Sequence, residues 1–137
     1  MEKGQAARLA EALRTIYRRL DLLRDAQSQV TPNEMEFLAV LAESGPTRLK
    51  DLAEKVKLPL STVGWTADRM VERKLLARKT DPRDRRAILL TPSGPGQIAL
   101  RRHNALFDRL AQTALATLAP EERDLVIKAI EKIIYQL

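Results

Sequence analysis

The sequence predicts a mainly α-helical fold with one small antiparallel β hairpin, and three observations carry that expectation. Apolar residues recur at three- and four-residue steps through both ends of the chain, the spacing of amphipathic helices. Thr31-Pro32-Asn33-Glu34 is a complete helix start, with a threonine able to cap, proline at the first helical position and glutamate at the third. Asp81 to Arg86 is a charged turn between two runs, Leu75 to Thr80 and Ala87 to Leu90, that suit paired strands.

The elements follow in order. Leu9, Leu13, Ile16, Leu20 and Leu23 give a long amphipathic helix from about Ala6 to Arg24. Val30 and Met35 flank the Thr31 start as a hydrophobic staple, and the second helix runs to about Ala42, ahead of Ser44-Gly45-Pro46. Thr47 to Leu49 suits a short strand. Lys50 to Val56 suits a short helix burying Leu52, Ala53 and Val56, and Lys57 to Pro59 the turn after it. On the next helix, Leu60 to Lys74, a step of about 100° per residue puts Val63, Ala67, Met70 and Val71 on one side and Ser61, Thr62, Trp65 and Arg69 on the other. A short helix, a tight turn and a second helix with a polar outer face form a helix-turn-helix, and the hairpin behind it makes the motif winged. Thr91-Pro92 reads as the cap and first position of a fifth helix, from about Gln97 to Leu118, with Ile98, Leu106, Phe107, Leu110, Ala114 and Leu118 in period. Pro120-Glu121-Glu122 opens the last helix.

That last helix carries Leu125, Val126, Ala129, Ile130, Ile133, Ile134 and Leu137, more apolar surface than an isolated terminal helix can leave in water. Burial of a leucine or isoleucine is worth roughly 1.5–3 kcal/mol. The terminal helices are therefore expected to interleave with a second copy, through Leu9, Leu13, Ile16 and Leu20 of the first helix and Val126, Ile130, Ile133, Ile134 and Leu137 of the last; the alternative is packing within the chain. Three segments result: residues 1–30 for dimerisation, 31–91 as the winged helix-turn-helix, and 92–137 again for dimerisation.

Composition narrows the function. The chain has 137 residues, room for one domain, or one domain with an appended dimerisation part. Its formal charge of +6 and pI near 10.0 suit a polyanionic partner. Aromatic residues are only 4%, too few for an RNA module that stacks several bases. There is no cysteine, which removes disulfides and thiolate metal sites. The single histidine, His103, lies among arginines with no ligand cluster, so it is expected on a helix surface or partner contact, and no metal is expected. No apolar run approaches the ~18 residues of a membrane span, and the N-terminus lacks a signal-peptide pattern, so the expected location is the cytoplasm. No phosphate loop, nucleophile set or paired carboxylates point to an enzyme. The wing is the strongest functional signal: Arg78, Lys79, Arg83, Arg85 and Arg86 outweigh Asp81 and Asp84, as in a nucleic-acid contact arm.

Over nearly its whole length the chain resembles the MarR family of winged-helix regulators. The matching residues are Thr31-Pro32, Leu52-Ala53-Glu54, Ser61-Thr62-Val63, Asp68-Arg69-Met70, Leu75-Leu76-Ala77-Arg78, and the block from Asp81 to Arg86 followed by Leu90 to Gly94. The resemblance implies a two-fold dimer built by the terminal helices, whose winged domains read a pseudo-palindromic duplex. It implies that the second helix of the motif enters the major groove with Ser61 and Thr62 near its start and Arg69 on the backbone. Arg83 at the wing tip would reach the minor groove, whose focused negative potential attracts arginine. Arg86, with Asp81 and Asp84, is expected to fix the tip more than to read DNA.

Three departures from the family pattern stand out. Gly64 and Trp65 occupy positions where threonine and arginine are common, Lys57 replaces the usual turn glycine, and Gly94-Pro95-Gly96 is a weak opening for the fifth helix. Trp65 either packs on sugars or a thymine methyl, or folds back as apolar cover. Gly64 costs roughly 0.8–1.0 kcal/mol relative to alanine inside a helix.

The function implied is a dimeric, sequence-specific DNA-binding transcriptional regulator, a repressor released by a small-molecule effector of unknown identity, with no required cofactor. Arg14, Tyr17 and Arg18 on the first helix could face an effector cleft or stand in solvent. The alternative is a winged-helix architectural or protein-interaction module that binds DNA nonspecifically. Site preference separates the two, since a regulator favours its own site by ~10³-fold or more.

Overall fold

The computed structural model describes residues 2–24 and 29–137. The expected first segment therefore includes residues 1 and 25–28, which lie outside the described residues. Among the described residues the elements run α1 (Gln5–Leu23), α2 (Pro32–Ser44), β1 (Thr47–Arg48), α3 (Leu49–Val56), α4 (Leu60–Glu72), β2 (Leu76–Asp81), β3 (Asp84–Pro92), α5 (Gly94–Ala116) and α6 (Pro120–Ile134). The three strands form one antiparallel sheet in the order β1-β3-β2.

Helix α2 begins as its sequence dictates. Thr31 Oγ1 accepts the Glu34 N–H at 3.2 Å and Glu34 Oε1 accepts the Thr31 N–H at 2.9 Å, so two otherwise unpaired donors are satisfied. Val30 and Met35 are buried on either side of this cap. Phe37, Leu38 and Leu41 then turn inward, where they meet Leu52 of α3, Val63, Ala67 and Met70 of α4, and Leu76 and Leu90 of the sheet. Among the described residues the buried hydrophobic core runs from Val30 to Leu90.

Helix α3 ends at Lys57, which adopts a left-handed conformation with φ 57°, the reason glycine suits this turn. A lysine held there costs about 1 kcal/mol. The reading of Leu60 to Lys74 as one helix is too long at its end. Helix α4 stops at Glu72, and Lys74 takes φ 62° to turn the chain into β2.

The hairpin is longer than its apolar run. Strand β3 starts at Asp84 rather than Ala87 and continues through Thr91 and Pro92, whose partners are Ala77 and Leu76. Thr91-Pro92 is therefore not the start of the fifth helix, and that helix does not begin near Gln97. Ser93 is the cap: its hydroxyl accepts the Gly96 N–H at 3.1 Å and donates to the Lys74 carbonyl. Proline can end β3 because its missing donor is not needed at the terminus of a strand.

Gly94-Pro95-Gly96 is the first turn of α5, and Gly96 is what lets it dock. A β-carbon there would collide with the Leu75 carbonyl oxygen and stand 3.0 Å from Leu38 Cδ2. Glycine at this position is a packing requirement rather than a weakness. Ala99 and Leu100 then lie against the core. Helices α1 and α6 contain no buried residue at all.

Candidate nucleic-acid interface

Helix α4 is amphipathic, so burying Val63, Ala67 and Met70 turns Ser61, Thr62, Trp65 and Arg69 to solvent. Trp65 is 63% exposed, which rules out the folded-back arrangement. The Arg69 guanidinium sits 4.7 Å from the centre of its ring, within cation–π range. Asp68, next along the helix, pairs with Arg78 of β2 and ties the wing to α4.

The wing tip is built around one carboxylate. Asp81 opposes Asp84 across the hairpin, leaving Pro82 and Arg83 at the turn. Asp81 Oδ1 accepts the Arg83 N–H at 2.9 Å, and Asp81 Oδ2 accepts from Arg48 Nη2 at 2.9 Å. The Arg83 N–H and the Arg48 guanidinium hold the Asp81 carboxyl below the ordinary carboxylate range. Arg83 is thus fixed by its backbone, while its side chain is exposed. Asp84 accepts the Arg86 N–H at 3.0 Å, and the Arg86 guanidinium stands 3.6 Å away with its side chain 95% exposed. Arg48, thirty-three residues before Asp81, makes the shorter and less exposed pair at the tip, and Arg86 adds an exposed one with Asp84. Lys79 and Arg85 lie exposed on the strands beside the tip.

A second set of charges joins the end of α4 to the entry of α2. Arg73, the residue after α4, donates to Glu34 Oε2 at 2.5 Å and to the Gln29 carbonyl at 2.8 Å. Burial pushes the Glu34 carboxyl up, but the Thr31 N–H, the Arg73 guanidinium and the Thr31 hydroxyl outweigh it and hold the group below its ordinary value. Neither Arg48 nor Arg73 stood out in the sequence. Each acts on a residue more than thirty positions away, a separation at which no periodicity connects them.

The residues expected at a dimer contact occupy a different part of the molecule. Leu9, Leu13 and Ile16 on α1 and Val126, Ile130, Ile133 and Ile134 on α6 are exposed, as is Leu137, and Leu20 is half-buried. Arg14 and Arg18 both reach Glu11 on the same helix, and Tyr17 is exposed. His103 stacks at 4.9 Å on Phe107 of the same helix; partial burial, with the nearby Arg24 charge, holds its imidazole below the ordinary value. No group of acidic or histidine side chains among the described residues could hold a metal ion. No described helix is long and apolar enough to cross a membrane.

A three-stranded wing behind an exposed second helix defines a winged helix-turn-helix protein. Residues 30–88 match the MarR family model, the stretch that holds nearly all of the core and the exposed face of α4. Over that stretch the chain is similar to the MarR family, and curated proteins that match it are named HTH-type transcriptional regulators. It is 33% identical to the HTH-type transcriptional repressor MdtR of Bacillus subtilis over 79 residues, 57% of this chain. The matched stretch spans about half of that relative, 51% of its length. Among solved structures, the YusO protein of Bacillus subtilis shares the fold across 100% of both chains, with a TM-score of 0.77 and 23% identity. The PcaV transcriptional regulator of Streptomyces coelicolor, in complex with its natural ligand, is 25% identical with a TM-score of 0.64, over 95% of this chain and 92% of that one.

Proposed function

We propose that the chain is a homodimeric, sequence-specific transcriptional repressor acting on double-stranded DNA in the cytoplasm. Two copies pair through α1, α5 and α6 and present two α4 helices to successive major grooves of a pseudo-palindromic operator. Ser61 and Thr62 approach the groove at the start of α4, Trp65 lies deeper and Arg69 meets the backbone. Arg83 enters the minor groove, with Lys79 and Arg85 on the flanking phosphates.

The observation that carries this reading is the wing tip. Asp81 is neutralised by Arg48 from within the fold, so it holds the tip without opposing the polyanion that Arg83 approaches. Repressor action is favoured by the name of MdtR, and release by a small molecule is favoured by the liganded PcaV structure. A dimer grips two half-sites only when its reading helices are spaced about one helical turn apart, so a ligand that shifts the spacing weakens binding.

Genome-wide capture of bound DNA identifies the operator, and Arg83→Ala then tests the wing. The variant should bind the operator about 10-fold or more weakly, a loss of about 1.4 kcal/mol or more, while sedimenting as the wild-type dimer. Undiminished operator binding would remove the wing from the mechanism.

A further inference from the structure

Helix α4 presents an apolar ring where the rest of its outer face is polar. Trp65 stands between Thr62 and Arg69 at helical spacing, with 63% of its surface open to solvent. Arg69, one turn later, covers one face of the indole at 4.7 Å. Its neighbour Asp68 is already paired with Arg78, so no carboxylate among the described residues draws Arg69 away from the ring. Most of the indole surface remains open.

An indole offers a groove one N–H donor, no acceptor and a large apolar surface. Nearly every group on the major-groove edge of a base pair is a hydrogen-bond donor or acceptor; the exception is the C5-methyl of thymine. A tryptophan facing cytosine, guanine or adenine edges would strip water from polar atoms without replacing their hydrogen bonds, which is unfavourable. Facing thymine, it removes apolar surface from water on both sides. The positive charge around it favours DNA as the occupant: Arg69 lies against the ring, and the chain carries a formal +6.

We propose that Trp65 selects a thymine at one position of each half-site by contact with the C5-methyl group. The inference rests on α4 being the reading helix, and the experiment separates failure of the one from failure of the other. A preferred duplex is selected from a random pool with the full chain. Each half-site thymine is then replaced by deoxyuridine, which removes the methyl and leaves every hydrogen-bonding group in place.

At one thymine position the wild type should lose about fourfold in affinity per half-site and about fifteenfold when both are replaced, the effect of one buried carbon in each. Trp65→Ala should bind more weakly overall and show no deoxyuridine penalty, and Trp65→Phe should keep most of it. Because Trp65 lies outside the core, both variants should melt with the wild type. A wild type indifferent to deoxyuridine at every position would overturn the assignment, and so would a Trp65→Ala variant that retains the penalty. If the pool yields no preferred duplex, α4 is not a reading helix and the assignment falls with it.

Discussion

The winged part and the terminal helices use their apolar residues in opposite ways. From Val30 to Leu90 most apolar side chains turn inward and fourteen are buried, whereas on α1 and α6 none is buried. Both regions carry the same helical periodicity in sequence, and the difference lies in what stands opposite. Around α2 the chain supplies α3, α4 and the sheet as cover. Around α6 the described residues leave no side chain buried, and Arg123 Nε donates to the Leu115 carbonyl. One region completes its core alone, and the other leaves its apolar side chains open to the second copy proposed above.

That contrast breaks most directly at α6. Ile130→Lys with Ile133→Lys places four charges in a two-fold contact and, since each side chain is about half exposed in one copy, removes about 3–6 kcal/mol of apolar burial from it. Sedimentation should show a monomer whose winged part stays folded, as judged by near-ultraviolet circular dichroism. An intact dimer would mean that α6 packs elsewhere.

The next largest effect belongs to the self-sufficient region. Gly96→Ala drives a methyl into the Leu75 carbonyl and should cost about 3 kcal/mol, at the upper end of overpacking. The natural control is Gly64, where an added β-carbon would meet only Leu49 Cδ2 at an ordinary 3.5 Å. Gly64→Ala should stabilise the chain by up to about 0.8–1.0 kcal/mol. Thermal unfolding of the two variants should therefore move in opposite directions.

Acid provides a smaller test of the same region. The Glu34 carboxyl is held below its ordinary value of 4.5, so the folded chain binds fewer protons there than the unfolded chain. Its contribution is complete above 4.5 and is lost as pH falls through the depressed value. Glu34→Gln should lower neutral-pH stability by about 1.5–3 kcal/mol and unfold with a shallower dependence on acid. An unchanged acid slope would show that Glu34 is not the group being titrated.

Local chemistry made much of the fold legible. The Thr31-Pro32-Glu34 cap, the two faces of α4 and the Asp81-Pro82 turn were all readable because each is decided within about one turn of the chain. The start of α5 was misplaced because Thr91-Pro92 satisfies the same cap-and-proline rule as Ser93-Gly94-Pro95, and only pairing with Leu76 and Ala77 assigns the first pair to the sheet. The Gly94-Pro95-Gly96 turn looked weak because the surface that requires Gly96, the Leu75 carbonyl, is distant in sequence. At the candidate interface, Trp65, Arg69 and Arg83 were readable from their place on a helix face or a turn. Their supports were not: Arg48 reaches Asp81 and Arg73 reaches Glu34 across separations that only the folded chain closes.

On the proposed function, two copies joined by their terminal helices act together on one duplex. Sedimentation velocity of the full chain, titrated onto its captured operator, measures the number of copies per duplex. Two chains should bind each duplex at every ratio, with no populated intermediate. A stable complex of one chain on one duplex, or free chains beside free duplex at moderate salt, would rule out paired binding.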